Sequence, residues 1–368
     1  MPSPRVIISG GGTGGHIFPA IAIADAIKEI KPDAEFLFVG ALGRMEMEKV
    51  PNAGYEIKGL EISGFQRSLS AKNLSFPLKV LKSLNASKRI IKDFKPDVAV
   101  GVGGYASGPM LHVASKKNVP ALIQEQNSFP GITNRLLAKR VDRICVSYEG
   151  MEKWFPSEKM LMTGNPIRSA VVDIEGKREI GIEAFGLDKS KTTLLIVGGS
   201  LGARTINESI AGVLDEIIAS EYQVIWQTGK HFIDKAKELI DSQKISNVKA
   251  TAFIEDMDLA YAAADLIISR AGAMALSELC LIGKPSVLVP SPNVAEDHQT
   301  KNAMALVKNK AAKMVSDVKA REELWETVKS LLANEKEREE LAANAKAMGQ
   351  PNSANRIAME VLKLIKQN

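Results

Sequence analysis

The stretch RVIISGGGTGGHIFPAIAIADAIKEI, residues 5–30, restricts the fold more than any other part of the chain. A short Val/Ile run ends in a glycine turn and passes directly into a long helical pattern. That order is the opening of a βα unit, in which a buried parallel strand feeds a covering helix. The same order returns at LLIVGGSLGARTINESI, residues 194–210. A chain of 368 residues is too long for one ordinary core. Two doubly wound α/β domains, each opening on its own glycine turn, are therefore expected.

Short apolar runs alternate with helical patterns throughout. Strands are expected at Val6–Ser9, Phe36–Val39, Val98–Val102, Ala121–Gln124, Arg143–Val146 and Met160–Thr163. TGNPIRSAV then breaks the rhythm and reads as a linker. A second series follows at Thr193–Val197, Gln223–Gln227, Val248–Ala252, Leu266–Ser269 and Ser286–Val289. The domains are thus expected at 1–164 and 165–351, with a final helix at about 352–368 returning to the first. They are expected to face each other across a cleft, with ligands at the C-terminal ends of the strands.

Charge and cysteine usage narrow the setting. The two cysteines, Cys145 and Cys280, match no metal or redox spacing, which suits a reducing cytoplasm. The start lacks the basic and long apolar regions of a signal peptide, and no apolar run reaches membrane-spanning length. Residues 1–164 carry 22 Lys/Arg against 15 Asp/Glu, whereas the remainder carries 26 against 28. Eight of those basic residues lie in 65–95, interleaved with Phe and Leu. Such a mixture suits an anionic membrane surface, or equally a solvated helix whose apolar side is core. No nucleic-acid-binding signature accompanies it, so nucleic acid is not an expected partner.

The obvious nucleotide motifs fail on inspection. Gly10, Gly12 and Gly15 satisfy G-x-G-x-x-G, but the second strand ends FLFVGALG, without the acidic residue that a dinucleotide ribose requires. Neither turn is a P-loop. Asp256-Met257-Asp258 resembles a metal–nucleotide motif, yet it opens a helical pattern, where acidic residues cap and complement the dipole. No metal site and no cofactor are expected. His112 and His231 have no partner of metal-ligand spacing. In SRAGAMALSE, a helix beginning near Ala273 offers free N–H groups to a diphosphate, and Glu278 lies where a carboxylate could take two ribose hydroxyls.

The stretches GGGTGGHIFPA, GVGGYASGP, EQNSFPGITNR, TGNPIR, GGSLGAR, SRAGAMALSE and, more loosely, EDHQTKNA occur in one order along the chain. In these the sequence closely resembles the MurG-type N-acetylglucosaminyltransferases of peptidoglycan synthesis. The resemblance implies a two-Rossmann glycosyltransferase fold of the B type. It also implies inverting GlcNAc transfer from UDP-GlcNAc to the MurNAc 4-hydroxyl of lipid I (undecaprenyl-diphospho-MurNAc-pentapeptide), giving lipid II. The setting implied is peripheral, on the cytoplasmic face of the cell membrane, in service of cell shape and division.

Carried onto this chain, the resemblance assigns the UDP diphosphate to Ser200 and to the helix through Ala273, Met274, Ala275, Leu276 and Ser277. Glu278 takes the ribose, and Ile254 meets the uracil through its backbone. Arg168 and Gln299 approach the donor. Thr13, Gly14, Gly15 and Asn127 face the donor sugar from the first domain. Gly103, Gly104 and Tyr105, within 101–109, join the first turn in receiving the acceptor diphosphate. Two positions depart from the family pattern: Leu201 and Thr300 stand where glutamine is frequent. The resemblance assigns no role to Leu201 or Thr300.

A phosphate-binding turn does not need His16, so the histidine requires its own account. Inverting transfer must remove a proton from the attacking hydroxyl, a task suited to an imidazole. The helix N-terminus disfavours the imidazolium and so favours a base there. His16 is the expected general base, with Glu125 in reserve; the competing reading is a capping or packing histidine. A UDP-sugar transferase with another lipid acceptor, a UDP-GlcNAc epimerase and a non-catalytic nucleotide-sugar binder remain the alternatives.

Overall fold

The computed structural model describes residues 3–62, 76–199, 201–243, 245–294 and 297–366. Ser200 and the first part of the basic segment, 63–75, lie outside them. The chain divides into two compact units, Met1–Ile167 with Asn352–Asn368, and Arg168–Pro351.

The first unit runs β1 (Arg5–Ser9), α1 (Gly14–Ile30), β2 (Glu35–Ala41), α2 (Glu46–Asn52), β3 (Ile57–Leu60) and α3 (Phe76–Phe94). It continues through β4 (Val98–Gly101), α4 (Ser107–Lys116), β5 (Ala121–Glu125), α5 (Ile132–Leu137), β6 (Arg143–Val146) and β7 (Met160–Met162). The seven strands are parallel, in the order β3-β2-β1-β4-β5-β6-β7. Alternate side chains leave opposite faces of each strand. Val6 and Ile8 therefore enter one core, with α1, whereas Ile7 enters another, with α3, α4 and α5.

The second unit opens with α6 (Ser169–Val172), α7 (Arg178–Ala184), β8 (Thr193–Val197), α8 (Arg204–Ala211), α9 (Leu214–Ala219) and β9 (Gln223–Gln227). Next come α10 (Ile233–Ser242), β10 (Val248–Thr251), α11 (Met257–Ala263), β11 (Leu266–Ser269) and α12 (Ala273–Ile282). It closes with β12 (Ser286–Leu288), α13 (His298–Lys308), β13 (Lys313–Met314), α14 (Ala320–Leu332) and α15 (Glu335–Met348). Its six parallel strands lie in the order β10-β9-β8-β11-β12-β13. Trp226, fully buried, fills one of its two cores, and its indole N–H donates to Asn207 Oδ1 at 3.0 Å.

The final helix, α16 (Ser353–Lys366), belongs to the first unit and packs on α1. Ile357, Ala358, Val361 and Leu364 join the core of Val6 and Ile8. Arg356 donates through Nη2 to the Thr163 carbonyl at 2.7 Å, just before the linker motif. Both cysteines are buried, and burial pushes each thiol up to about 12.

Two strands, β3 and β13, were not expected from the sequence. Both lie at sheet edges and are short, four and two residues, so they carry no periodic signal of their own. Only the later part of the basic–apolar segment, from Phe76, lies within the described residues. Within α3, Ile90 and Ile91 are core, whereas Leu78 and Leu81 are exposed. Among the described residues no helix is long and apolar enough to cross a membrane.

Replacing Ile357, fully buried beneath α1, with alanine removes core volume that α16 alone supplies. The loss expected is about 2–5 kcal/mol, read as a lowered midpoint in guanidinium denaturation.

Candidate active site

In the first unit the candidate residues gather at the C-terminal ends of three adjacent strands, β1, β4 and β5. Gly11 and Gly12 turn with φ of 142° and 89°, conformations that only glycine adopts without strain. Thr13 takes the N-cap position of α1, and no acidic residue stands in the first turn of the helix. A Cβ on Gly104 would strike the Gly11 backbone, so the β4 turn is pressed against the β1 turn. Ser107 fastens the two together: its hydroxyl lies 2.6 Å from the Ser9 carbonyl and 2.9 Å from that of Gly103. Tyr105, next in the β4 turn, is half-exposed.

His16 sits where these turns meet. Its Nδ1 lies 3.0 Å from the Gly11 carbonyl and 3.4 Å from Thr13 Oγ1. A carbonyl can only accept, so Nδ1 carries the proton of the neutral imidazole and Nε2 is its basic nitrogen. Gly103 is glycine for two reasons here. Its φ is +91°, and a Cβ would stand 2.8 Å from His16 Nε2.

Glu125 ends β5, buried, and its carboxylate is filled. Oε1 accepts from the Asn127 N–H and Nδ2 at 3.0 and 3.1 Å; Oε2 accepts from Asn134 Nδ2 and the Gly131 N–H at 2.8 and 3.1 Å. Burial raises its pKa, while these four donors pull the other way. The arrangement folds loop 126–131 around a carboxylate and sets Asn127 at its start. Gln126 donates to the Val102 carbonyl at 2.9 Å, tying the loop to β4. Asn165, from the linker motif, accepts from Ser147 Oγ and Gln124 Nε2 in the same buried network.

One residue here escaped sequence reasoning. Glu46, the first residue of α2, is buried, and its two oxygens accept from the Gly12 and Ala41 N–H groups at 2.8 and 3.0 Å. In RMEMEK it looks like one of several solvated helix acids; its bond to the Gly12 N–H, 34 residues away, ties it to the first turn.

In the second unit the candidates again lie past strand ends. The turn after β8 is held by Gln227, whose Nε2 donates to the Gly199 carbonyl at 3.0 Å. Leu201 in this turn is exposed. Helix α12 begins at Ala273 with no acidic residue in its first turn, leaving the N–H end of Ala273, Met274 and Ala275 electropositive. Leu276 is buried beneath it, and Ser277 Oγ donates back to the Ala273 carbonyl at 3.0 Å. Glu278, one turn further, accepts from the buried Tyr261 hydroxyl at 2.8 Å. Burial raises the Glu278 carboxyl, opposed by this bond and by the charge of Arg168, the N-cap of α6.

Gln299 is anchored by its carbonyl oxygen, which accepts from the Ala271 and Ser291 N–H groups at 3.2 and 2.8 Å. This turns its amide NH₂ into the available donor. Thr300 is used locally, donating to Asp297 Oδ1 at 2.7 Å. Ile254 is buried just past β10, and no described residue pairs with its backbone N–H or C=O.

The D-x-D pair divides its labour differently from expectation. Asp256 holds the N-cap position of α11 but its side chain caps nothing. Asp258 is instead paired with Lys177 at 2.9 Å; burial raises its pKa, but Lys177 and nearby N–H groups outweigh this and hold it low. Among the described residues no three His, Cys, Asp or Glu side chains gather as a metal set.

Two Rossmann-like domains, each with helix N-termini and glycine turns past its strand ends, are the architecture of the glycosyltransferase B fold. Residues 6–146 match the glycosyltransferase family 28 N-terminal domain, and 193–357 match its C-terminal domain. The chain is 55% identical, over 99% of both lengths, to the UDP-N-acetylglucosamine--N-acetylmuramyl-(pentapeptide) pyrophosphoryl-undecaprenol N-acetylglucosamine transferase of Parabacteroides distasonis. The crystal structure of MurG from Acinetobacter baumannii superposes with a TM-score of 0.81 at 29% identity, covering 98% of this chain and 99% of that one. A UDP-GlcNAc 2-epimerase from Neisseria meningitidis shares the fold at a TM-score of 0.67 and 15% identity, covering the whole of both chains. The chain belongs to glycosyltransferase family 28, among its MurG-type N-acetylglucosaminyltransferases.

Gly103→Ala forces both a strained φ and a collision with His16. A loss of about 1–3 kcal/mol is expected, measured as a fall in Tm, together with a displaced His16 imidazole signal in NMR spectra.

Proposed function

We propose that this enzyme transfers GlcNAc from UDP-GlcNAc to the MurNAc 4-hydroxyl of lipid I, with inversion, to form lipid II. The observation that carries the reading is the 55% identity along 99% of the chain to a transferase named for that donor and acceptor. The epimerases share only the fold.

The residues divide the work as follows. The acceptor oxygen attacks the anomeric carbon of GlcNAc as the bond from that carbon to the UDP oxygen breaks. His16 Nε2 takes the hydroxyl proton. Its Nδ1–H, bonded to the Gly11 carbonyl, fixes the ring in the basic tautomer. The negative charge gained by UDP is met by the N–H end of α12, from Ala273 onward, and by Ser200. Glu278, oriented by Tyr261, receives the ribose hydroxyls. The backbone N–H and C=O of Ile254 supply a donor and an acceptor that complement the edge of uracil. Gln299, anchored through its carbonyl, offers its amide NH₂ to the donor sugar, and Arg168 adds positive charge nearby. Thr13, Gly14, Gly15 and Asn127 contribute to recognition of the donor sugar from the first unit. Gly103, Gly104 and Tyr105 receive the acceptor diphosphate. Glu125, with four donors on its carboxylate, shapes the loop of Asn127 rather than serving as base.

The enzyme acts peripherally, on the cytoplasmic face of the membrane. Leu78 and Leu81 on α3, and Ile132 and Leu136 on α5, are exposed, and both helices cover the same face of the first sheet. Lys82, Lys88, Arg89, Lys139 and Arg140 are exposed on and beside them. Apolar side chains ringed by cations suit an anionic bilayer, at roughly 1 kcal/mol per basic residue near the surface.

Radiolabelled GlcNAc from UDP-GlcNAc is expected to enter an organic-extractable lipid I analogue, with and without EDTA. His16→Ala is expected to lower kcat by about 10²- to 10⁴-fold while UDP still binds. UDP-ManNAc or free UDP without lipid product would instead favour the epimerase or another acceptor. In sedimentation with anionic vesicles, the protein is expected to bind in a salt-sensitive way. Leu78→Ser combined with Leu136→Ser should weaken that binding several-fold; equal binding to neutral vesicles would count against membrane attachment through this surface.

A further inference from the structure

Gly11 and Gly12 share one peptide group, and that group is gripped at both ends. Its carbonyl, on Gly11, lies 3.0 Å from His16 Nδ1; its N–H, on Gly12, donates to Glu46 at 2.8 Å. The second Glu46 oxygen accepts from the Ala41 N–H at 3.0 Å, at the end of β2. The side chain is 1% exposed. Two glycines make room for it: a Cβ on Gly11 would enter the Glu46 carboxylate, and one on Gly40 would stand 2.5 Å from its Cγ. A buried carboxylate, packed between glycines and satisfied by two backbone donors, is a costly feature to keep for packing alone.

We propose that Glu46 is a positioning residue for His16, acting through the Gly11–Gly12 peptide. A carboxylate accepting from the amide N–H polarises the peptide, which makes its carbonyl a stronger acceptor. That carbonyl then holds the Nδ1–H of His16 and places the lone pair on Nε2. The arrangement does for His16 what a carboxylate hydrogen-bonded directly to imidazole does elsewhere, with one amide interposed. The same negative charge favours the imidazolium that forms as the base takes its proton. Among elements packed on α1, α2 also carries Glu48 and Lys49, which pair with each other in solvent. Helix α16 carries Arg356, on the Thr163 carbonyl, and Glu360, beside Arg143 and Lys363. Tyr105 in the β4 turn is half-exposed. Glu46 reaches the ring through two hydrogen bonds and the peptide between them.

The inference rests on His16 as the base, so its test has a readout independent of turnover. In protein labelled with ¹⁵N-histidine, His16 above its titration is expected as the Nδ1–H tautomer. Glu46→Gln, which keeps the shape but turns one acceptor into a donor, is expected to lower kcat about 10- to 100-fold. That lies within what a positioned base contributes. KM for UDP-GlcNAc should change less than twofold. Removing the negative charge disfavours the imidazolium, so the acidic limb of the kcat/KM profile should move to lower pH. A purely structural role would lower activity without moving that limb. An Nε2–H tautomer in the wild-type protein overturns the proposal, as does an unchanged kcat and pH profile in a folded Glu46→Gln variant. Should that variant fail to fold, Glu46→Asp, which keeps the charge but not the reach to both N–H groups, is expected to lower kcat, and a folded Glu46→Asp with unchanged kcat overturns the proposal. If His16→Ala is fully active, the base assignment fails, whereas the titration of the His16 ring followed by NMR in Glu46→Gln, expected at lower pH than in the wild type, still reports on Glu46.

Discussion

A parallel strand cannot be reached by a tight turn; the chain must cross a whole face of the sheet to begin the next one. In both units that requirement sets everything else. It covers both faces with helices, and it starts each helix just past a strand's C-terminal end. Successive crossings bring the glycine turns of β1 and β4 and the loop after β5 side by side, though Gly11, Gly103 and Glu125 are far apart in sequence. In the second unit the same rule puts the turn after β8, Ile254 past β10 and the start of α12 beyond the strand ends.

Loops at such a place have little to hold them, since their backbone groups lie beyond the ladder of the sheet. This chain solves the problem twice with a buried carboxylate. Glu46 holds the turn after β1 by its Gly12 N–H, and Glu125 holds the loop after β5 by the N–H groups of Asn127 and Gly131. Gln299 does comparable work with an uncharged oxygen, bridging the Ala271 and Ser291 N–H groups. In each case a side chain substitutes for the missing strand partner.

The architecture was legible because it depends on local patterns. Val6–Ser9 and Thr193–Val197 announce themselves by composition, and the glycines after them mark the turns. Edge strands β3 and β13 did not, because so few residues fall on a short edge that no alternation develops. Among the candidate site residues, Glu278 and His16 stood out by their position at helix starts. Glu46 did not, because nothing in RMEMEK separates a buried acid from a solvated one; its environment is made by Gly11, Gly12 and Gly40. The segment 65–95 was ambiguous for a related reason. One helix, α3, carries core residues at Ile90 and Ile91 and exposed ones at Leu78 and Leu81, so composition averages over two fates.

The return of α16 to the first unit has a consequence for how the molecule is made. The core that begins with Val6 and Ile8 is finished by Ile357, Ala358, Val361 and Leu364. Between them the ribosome must produce all of Arg168–Pro351. At ordinary elongation rates that takes roughly 10 to 40 s. The second unit thus has its entire sequence outside the tunnel before the first can close, and the order of completion reverses the order of synthesis. Through that interval the face of α1 that awaits α16 stays uncovered, an apolar surface on a nascent chain that the cell must shield until the last helix arrives.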